Sequence, residues 1–286
     1  MNDDYVIEPT AFKSAADIRY ALEKFGFSEG RFVARFPQNW IVDFKTCIER
    51  FPDVERKRAF ELLQKYKRRC CFVNTKQAFD RRRPWSENAR SAQAVFAGAV
   101  FTSDSPTIAD IDDDFFKPSR EQRILAKTAE YSRISRRLIE ASGEVFLIDP
   151  YFKISRPGRV KILNEFIKIG AAASCRSFHI FSRYTECIEG TEVSFDRIAR
   201  REIKLQRGQR MHCHLVDDSG HINEMHARFL LALNGAIHFD KGFAEEPLDH
   251  YVDVSYVDRV RHAEYARLFI DGEHGFTLKH ELVFSA

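Results

Sequence analysis

The sequence predicts an α/β protein, in which a mixed β-sheet flanked by helices is preceded by a mainly helical N-terminal region. Three observations lead there. From residue 119 onward the chain alternates strand-like and helix-like stretches. Its strand candidates are EVFLID (144–149), a continuous apolar run as in a strand covered on both faces, then SFHIF (177–181) and MHCHLV (211–216). In MHARFLLALNGAIHFDKGF (225–243), two apolar runs flank Asn234-Gly235, a strong signal for a two-residue type I′ hairpin that adds antiparallel strands.

The elements follow in chain order. Ser14 to Phe25 reads as a helix, with Ile18, Leu22 and Phe25 near helical spacing and Gly26 as a stop. Val42–Phe51 and Val54–Tyr66 read as two more, split by Pro52. Ala92–Phe101 fits helix or strand, and completes a basic N-terminal region, 1–101. The polar, acidic stretch 102–118, with two prolines, reads as a linker. The α/β domain then covers 119–286. Ser119 and Gln122 form a capping-box pattern, and Ile124, Tyr131, Ile134 and Leu138 continue at helical spacing to a stop at Gly143. Helices over Arg159–Ile169 and Phe195–Leu205 separate the three strands.

Composition narrows the classes. The 286 residues are 44% hydrophobic with 26 Phe, enough for a packed core and against disorder. Lys+Arg 45 against Asp+Glu 42 leaves +3, so the distribution of charge says more than its sum. No apolar run approaches the ~18 residues of a membrane span, and MNDDYVIEPT lacks a signal-peptide core. Six Cys without a C-x-x-C pair fit a cytoplasmic chain with reduced thiols.

Ligands of open α/β sheets gather at the carboxyl ends of parallel strands. The three runs deliver Asp149 and Tyr151, Ser182 and Arg183, and Asp217 and Asp218 to that edge. His226 and Arg228, two residues apart at the start of the hairpin, share one strand face. The expectation is that Asp149, His226 and Arg228 meet in one pocket. A bland alternative has His226 and Arg228 hydrogen-bonded to Asp149 or Asp240, merely closing the sheet.

The HARFLL stretch, followed by a tight turn, a second apolar run and Gly242, resembles a degenerate His-x-Lys motif of the phospholipase D-like superfamily. EVFLIDPYF (144–152) resembles the opening strand and turn of such domains. The resemblance covers about 119–286 and implies a phosphodiesterase-type nuclease, or a nucleic-acid-binding relic of one. It implies His226 as nucleophile, Arg228 and Lys241 on phosphate, and Asp149, Tyr151 and Asp240 in support, with no metal and no cofactor. Arg228 stands where the family has Lys, the motif's Asp has no clean match, and only one motif occurs. The family's chemistry uses two His, so a single-motif chain completes it as a homodimer. A neutral imidazole attacks phosphorus and a neighbouring cation stabilises the transferred group. The alternative is a non-catalytic adaptor in a larger protein complex, with a pseudo-active domain of this kind.

Between 56 and 83 stand eleven basic residues, among them Lys67, Arg68, Arg69, Arg81, Arg82 and Arg83, against Glu61 and Asp80. Tyr66, Phe72, Phe79 and Trp85 lie among or beside them. Cations neutralise phosphates and aromatics stack on bases, so the stretch reads as a contact surface for DNA or RNA. The competing reading gives that charge to the acidic residues Asp110–Asp114 or to an acidic partner protein. His212 and His214 share a strand face with Cys213 opposite, but a metal site needs a third and fourth ligand that the spacing does not offer.

Overall fold

A computed structural model describes residues 1–112, 114–116, 120–220, 225–246 and 250–286. They form two compact units, Met1–Arg120 and Glu121–Ala286.

The first unit runs β1 (Asp3–Ile7), α1 (Ala15–Leu22), β2 (Arg31–Arg35), α2 (Trp40–Ile48), α3 (Asp53–Arg68), β3 (Phe72–Asn74), α4 (Trp85–Ser91) and β4 (Gly98–Val100). Its strands pair in parallel in the order β3-β2-β1-β4. The expected helices are present, and Ser14 caps α1 in a reciprocal box with Asp17. The sheet they cover was not legible. β1 and β2 hold five residues each and β3 and β4 three, too short for a period of two to show. The pleat nevertheless sorts them. Tyr5, Ile7 and Val33 join one core with Ile18, Phe44 and Leu63, while Val6 and Ala34 join Ala89 and Phe96 on the other face.

The stretch read as a linker packs on this unit where it is described. Ile108, Ile111 and Phe116 are buried in its core, and Tyr20 Oη donates to the Ile111 carbonyl at 2.8 Å. Three apolar residues among many acids sufficed to anchor a segment whose composition reads as solvated.

The second unit runs β5 (Glu121–Leu125), α5 (Thr128–Glu140), β6 (Glu144–Ile148), α6 (Pro157–Ala171), β7 (Ser177–Arg183), the single turn α7 (Tyr184–Cys187), α8 (Glu192–Glu202), β8 (Arg210–Asp217), β9 (Phe229–Ala232), β10 (Gly235–Phe239), β11 (Tyr251–Tyr256), α9 (Arg259–Tyr265), a π-helical turn (Ala266–Ile270) and β12 (Thr277–Ser285). Its eight-stranded sheet has the order β12-β8-β7-β6-β9-β10-β11-β5. β6, β7 and β8 are parallel and the other pairings antiparallel, so the sheet is mixed, as the sequence predicts. Tyr131, Ile134 and Leu138 of α5 are buried, as their spacing predicts. Phe229 stacks on Tyr265 at 4.3 Å and meets Phe269 at 5.6 Å, which ties α9 and the π turn to the sheet.

Two local expectations change. The helix expected from Ser119 starts at Thr128, because 121–125 form a strand; Ser119 itself lies outside the described residues. The pairing that decides this, Tyr251 with Leu125, comes from 126 positions along the chain, where local periodicity cannot see it. The hairpin forms, but its two-residue turn is Leu233-Asn234, because Gly235 already pairs with Ala232. Neither turn residue has positive φ, so the turn is not the type I′ that Asn-Gly predicts. Asn234 Nδ2 donates instead to the Ala141 carbonyl at 3.2 Å, pinning the turn to the end of α5.

Candidate functional site

β6 ends at Ile148, which pairs with Phe229, so the register sets Asp149 beside Arg228. Asp149 is 1% exposed. Its Oδ1 accepts from the Tyr151 amide at 3.0 Å, which closes the turn after the strand. Its Oδ2 lies 3.4 Å from Arg159 Nη1, in the first turn of α6, and 3.4 Å from the Phe243 amide. Arg159 Nη1 also donates to the Tyr151 carbonyl. A buried carboxylate is tolerable only when so partnered.

Gly242 closes this corner with φ +77°, and a Cβ there would lie 2.8 Å from Asp149 Oδ2 and 2.9 Å from Arg228 Cδ. Tyr131 Oη holds its carbonyl at 2.9 Å. Glycine is therefore demanded twice, by the backbone and by the space.

Arg228 Nη1 donates to the Asp240 carbonyl at 2.8 Å, and its guanidinium carbon lies 5.1 Å from the centre of the Tyr151 ring. The guanidinium of Arg183, at the end of β7, lies 5.6 Å from the same ring. Arg183 forks onto Asp218, Nε at 2.7 Å and Nη2 at 3.0 Å, and Nη2 reaches the Met225 carbonyl at 2.9 Å. The Met225 amide donates to Asp218 Oδ2 at 2.6 Å. Burial raises the Asp218 pKa, but the Arg183 fork and the Met225 amide outweigh it and hold the carboxyl below its ordinary value. Two guanidiniums thus meet one phenol ring at the carboxyl edge of the parallel strands. His226 is exposed, between Met225, clamped on both backbone atoms, and Arg228 two residues on.

The structure therefore brings Asp149, Tyr151 and Arg228 together, with an exposed His226 between two fixed neighbours. Asp240 supports Arg228 by its carbonyl; its carboxylate accepts from the Asp253 amide at 3.0 Å. Lys241 is exposed and directs Nζ to the Tyr251 carbonyl of β11 at 2.9 Å. Arg159 went unread in the sequence; the signal was a basic residue in the first turn of the helix that follows the Asp149 strand. The cavities of about 670 Å³ and 600 Å³ lie elsewhere, the first over Arg19, Tyr20 and Lys65 and the second over Lys127, Arg133 and Lys161.

The basic stretch divides. Arg56, Arg58, Lys65 and Arg69 meet Asp53, Glu55 and Glu23 within 4 Å, and Arg82 and Arg83 share Asp80. Lys67, Arg68 and Arg81 are exposed, with no acidic partner within 4 Å among the described residues. The aromatics expected to stack on bases pack inward. Tyr66 is fully buried, Phe72 packs on the core, and Phe79 and Trp85 pack against Phe36 at 5.0 and 6.2 Å. Their apolar area stabilises more in the core than on a surface. Of the rival sink, Asp110 accepts from the Thr107 amide at 2.7 Å and Asp112 from the Asp114 and Phe115 amides at 3.1 and 3.0 Å.

His212 and His214 find a third imidazole, His179, on the adjacent parallel strand. The ligand atoms of all three lie within 4.8 Å of one another. Burial, then the nearness of the other imidazoles, lowers the pKa of His179 to about 3; burial, then His212 and His274, lowers that of His214 to about 4. His179 occupies the centre of SFHIF, and the register of β7 on β8 sets it beside His212. All six cysteines are free. No helix among the described residues is long and apolar enough to cross a membrane.

No protein-family model matches the chain, and no curated protein matches it. Among solved structures, the archaeal chromatin protein TrmBL2, described as showing a novel mode of DNA binding, aligns over 85% of this chain and 70% of its own. Identity is 12% and the TM-score 0.32, values from which neither a shared fold nor a shared function follows.

Proposed function

We propose that the second unit is a phospholipase D-like phosphodiester site and that its ligand is nucleic acid. One observation carries the reading: Arg228 is held by the Asp240 carbonyl beside Tyr151 and Asp149, two residues from an exposed His226. A guanidinium offers five donors, and the Asp240 carbonyl takes one of Arg228, leaving others for phosphate oxygens. Gly242 fits the trailing glycine that the resemblance implies, since a Cβ there would meet both Asp149 Oδ2 and Arg228 Cδ. In the finer reading His226 attacks phosphorus, and a second copy of the chain supplies the other imidazole.

The test is cleavage and binding of single-stranded and duplex oligonucleotides in chelator. His226→Ala is expected to abolish cleavage and largely preserve binding, because the clamp remains. Arg228→Ala is expected to weaken both, because ground state and transition state both present phosphate oxygens to it. Arg228→Lys is expected to retain turnover. Cleavage that survives His226→Ala would sink the catalytic reading, and binding indifferent to Arg228→Ala the phosphate reading. A non-catalytic adaptor remains the second reading. It is favoured by the replacement of Lys by an arginine already anchored to a carbonyl, and would follow from wild-type protein inert toward every phosphodiester.

A further inference from the structure

We propose that His179, His212 and His214 form a binding site for a divalent transition-metal ion of the zinc class, with a fourth position for water. The three imidazoles come from adjacent parallel strands, His179 on β7 facing His212 and reaching His214 of β8. His179 Nδ1 and His214 Nε2 are 3.2 Å apart. Two nitrogens on one tetrahedral zinc, bonded at about 2.0–2.1 Å, stand about 3.3 Å apart. This contact is a hydrogen bond between the two rings, and its length matches the separation of two ligands on one ion.

The outer nitrogens add an independent observation. His179 turns Nε2 to Glu144 Oε2 at 3.5 Å, and His214 turns Nδ1 to Glu281 Oε1 at 3.4 Å. Each ring thus turns one nitrogen to the other ring and its second nitrogen to a carboxylate. With an ion between the rings, that is the carboxylate–histidine–metal arrangement, which fixes the tautomer and raises the basicity of the ligating nitrogen. The two carboxylates come from the strands that flank β7 and β8, so the sheet presents His179 and His214 as a matched pair. His212 is the third ligand, its ring 4.5 Å from that of His179.

The three rings lie within 10° of parallel, stacked between Phe146 and Phe181. Convergence on one ion requires rotation about χ2, a broad torsion for histidine. Phe146 and Phe181 close those flanks of the stack with apolar faces. An all-imidazole set suits zinc, nickel, copper and cobalt over magnesium or calcium. Cys213 lies between two of the ligands in sequence but is 1% exposed on the opposite strand face, so thiolate takes no part. His179 precedes Arg183 by four residues on β7, about 13 Å along a strand, which separates this site from the phosphate corner.

The test uses the tag-free full chain, stripped with chelator and dialysed. Zn²⁺ is titrated against a competing colorimetric chelator, and Co²⁺ serves as the optical probe. One equivalent of each is expected, with Co²⁺ showing visible tetrahedral bands and no thiolate charge-transfer band. Glu144→Gln and Glu281→Gln, at half-exposed positions, are each expected to weaken zinc 10- to 100-fold. His179→Ala and His212→Ala are expected to lose the equivalent, and the zinc-induced rise in Tm, while keeping the metal-free Tm near wild type; His250→Ala is expected to change nothing. Wild-type protein that retains no equivalent overturns the proposal. So does a Co²⁺ spectrum carrying a thiolate band, or zinc affinity unchanged in both glutamine variants.

Discussion

Each unit fastens loops with a buried polar side chain, neutral in the first and charged in the second. Asn88 is 4% exposed, its Oδ1 accepting from the Asp80 amide at 2.8 Å and its Nδ2 lying within 3.3 Å of the carbonyls of Asp80, Arg83 and Pro84. Every partner lies within eight residues. Asp149 is as deeply buried, but its partners reach from Tyr151 to Phe243, 94 positions on, and include Arg159. Asn88 satisfies a loop locally. Asp149 draws three segments and a cation to one strand end, where Arg228 also stands. The difference separates a fastening from a site: local neutral bonds shape a loop, while a buried charge organises others around it.

The sharpest break in this comparison is substitution of the two hubs. Asp149→Ala leaves Arg159 without its buried carboxylate and the Tyr151 and Phe243 amides without an acceptor, a loss of about 3–5 kcal/mol. Asn88→Ala leaves neutral groups unpaired, about 1–3 kcal/mol. Denaturant unfolding, followed separately in the two units, checks the order. An Asn88→Ala loss equal to or above that of Asp149→Ala would show that charge at Asp149 contributes nothing beyond ordinary hydrogen bonding.

Next in size is the pH response of the second unit in metal-free buffer. His179 and His214 are held at about 3 and about 4 in the fold, against 6.5 in the unfolded chain. Between about 6.5 and those values the unfolded state binds more protons, so stability falls as pH falls through that window. Each pH unit crossed in that window removes up to about 1.4 kcal/mol per imidazole, the worth of a tenfold difference in proton affinity between folded and unfolded chains. His179→Gln together with His214→Gln is expected to flatten the slope between pH 6 and 4. An undiminished slope in that variant would assign acid sensitivity to other groups.

Gly242→Ala tests the same corner more gently. Positive φ at a non-glycine residue costs about 1–3 kcal/mol, and the new methyl would press on Asp149 Oδ2 and Arg228 Cδ, so one or both must shift. Both unfolding free energy and oligonucleotide affinity are expected to fall. Lost stability with unchanged affinity would detach Arg228 from phosphate binding.

The legible parts of this molecule were those whose signals are local. β6, β7, β8, α5 and α6 announce themselves by apolar runs and helical spacing, and the strand ends pointed to Asp149, Tyr151, Arg183 and Asp218. What was missed depended on distant partners. β5 takes its identity from β11, the sheet of the first unit is assembled from strands of three to five residues, and His179 joins His212 and His214 only once β7 and β8 align. The aromatics of the basic stretch misled for a related reason. Interleaving in sequence does not say which side of a helix or loop a ring takes, and the core of the first unit claimed Tyr66 and Phe72.

The smallest expected effect concerns the charge left on that first unit. Arg82 and Arg83 share Asp80, and Asp80 also accepts from the Arg82 amide at 2.9 Å, so reversing either disturbs a loop as well as a surface. Lys67, Arg68 and Arg81 are the cleaner probes. Each phosphate contact releases counterions and adds about 0.7–0.9 to the slope of log K against log salt. Reversal of all three to Glu should flatten that slope by about two to three if all three touch the backbone, and weaken all sequences alike, because phosphate contacts carry no base information. Far-UV circular dichroism should be unchanged, since these side chains are exposed and bond to no acid within 4 Å among the described residues. A slope unaltered by the triple variant, with Arg228→Ala still weakening affinity, would confine nucleic-acid contact to the second unit. The basic face of the first would then be a solvated helix end whose last turn carries Lys65, Lys67 and Arg68 against the helix dipole.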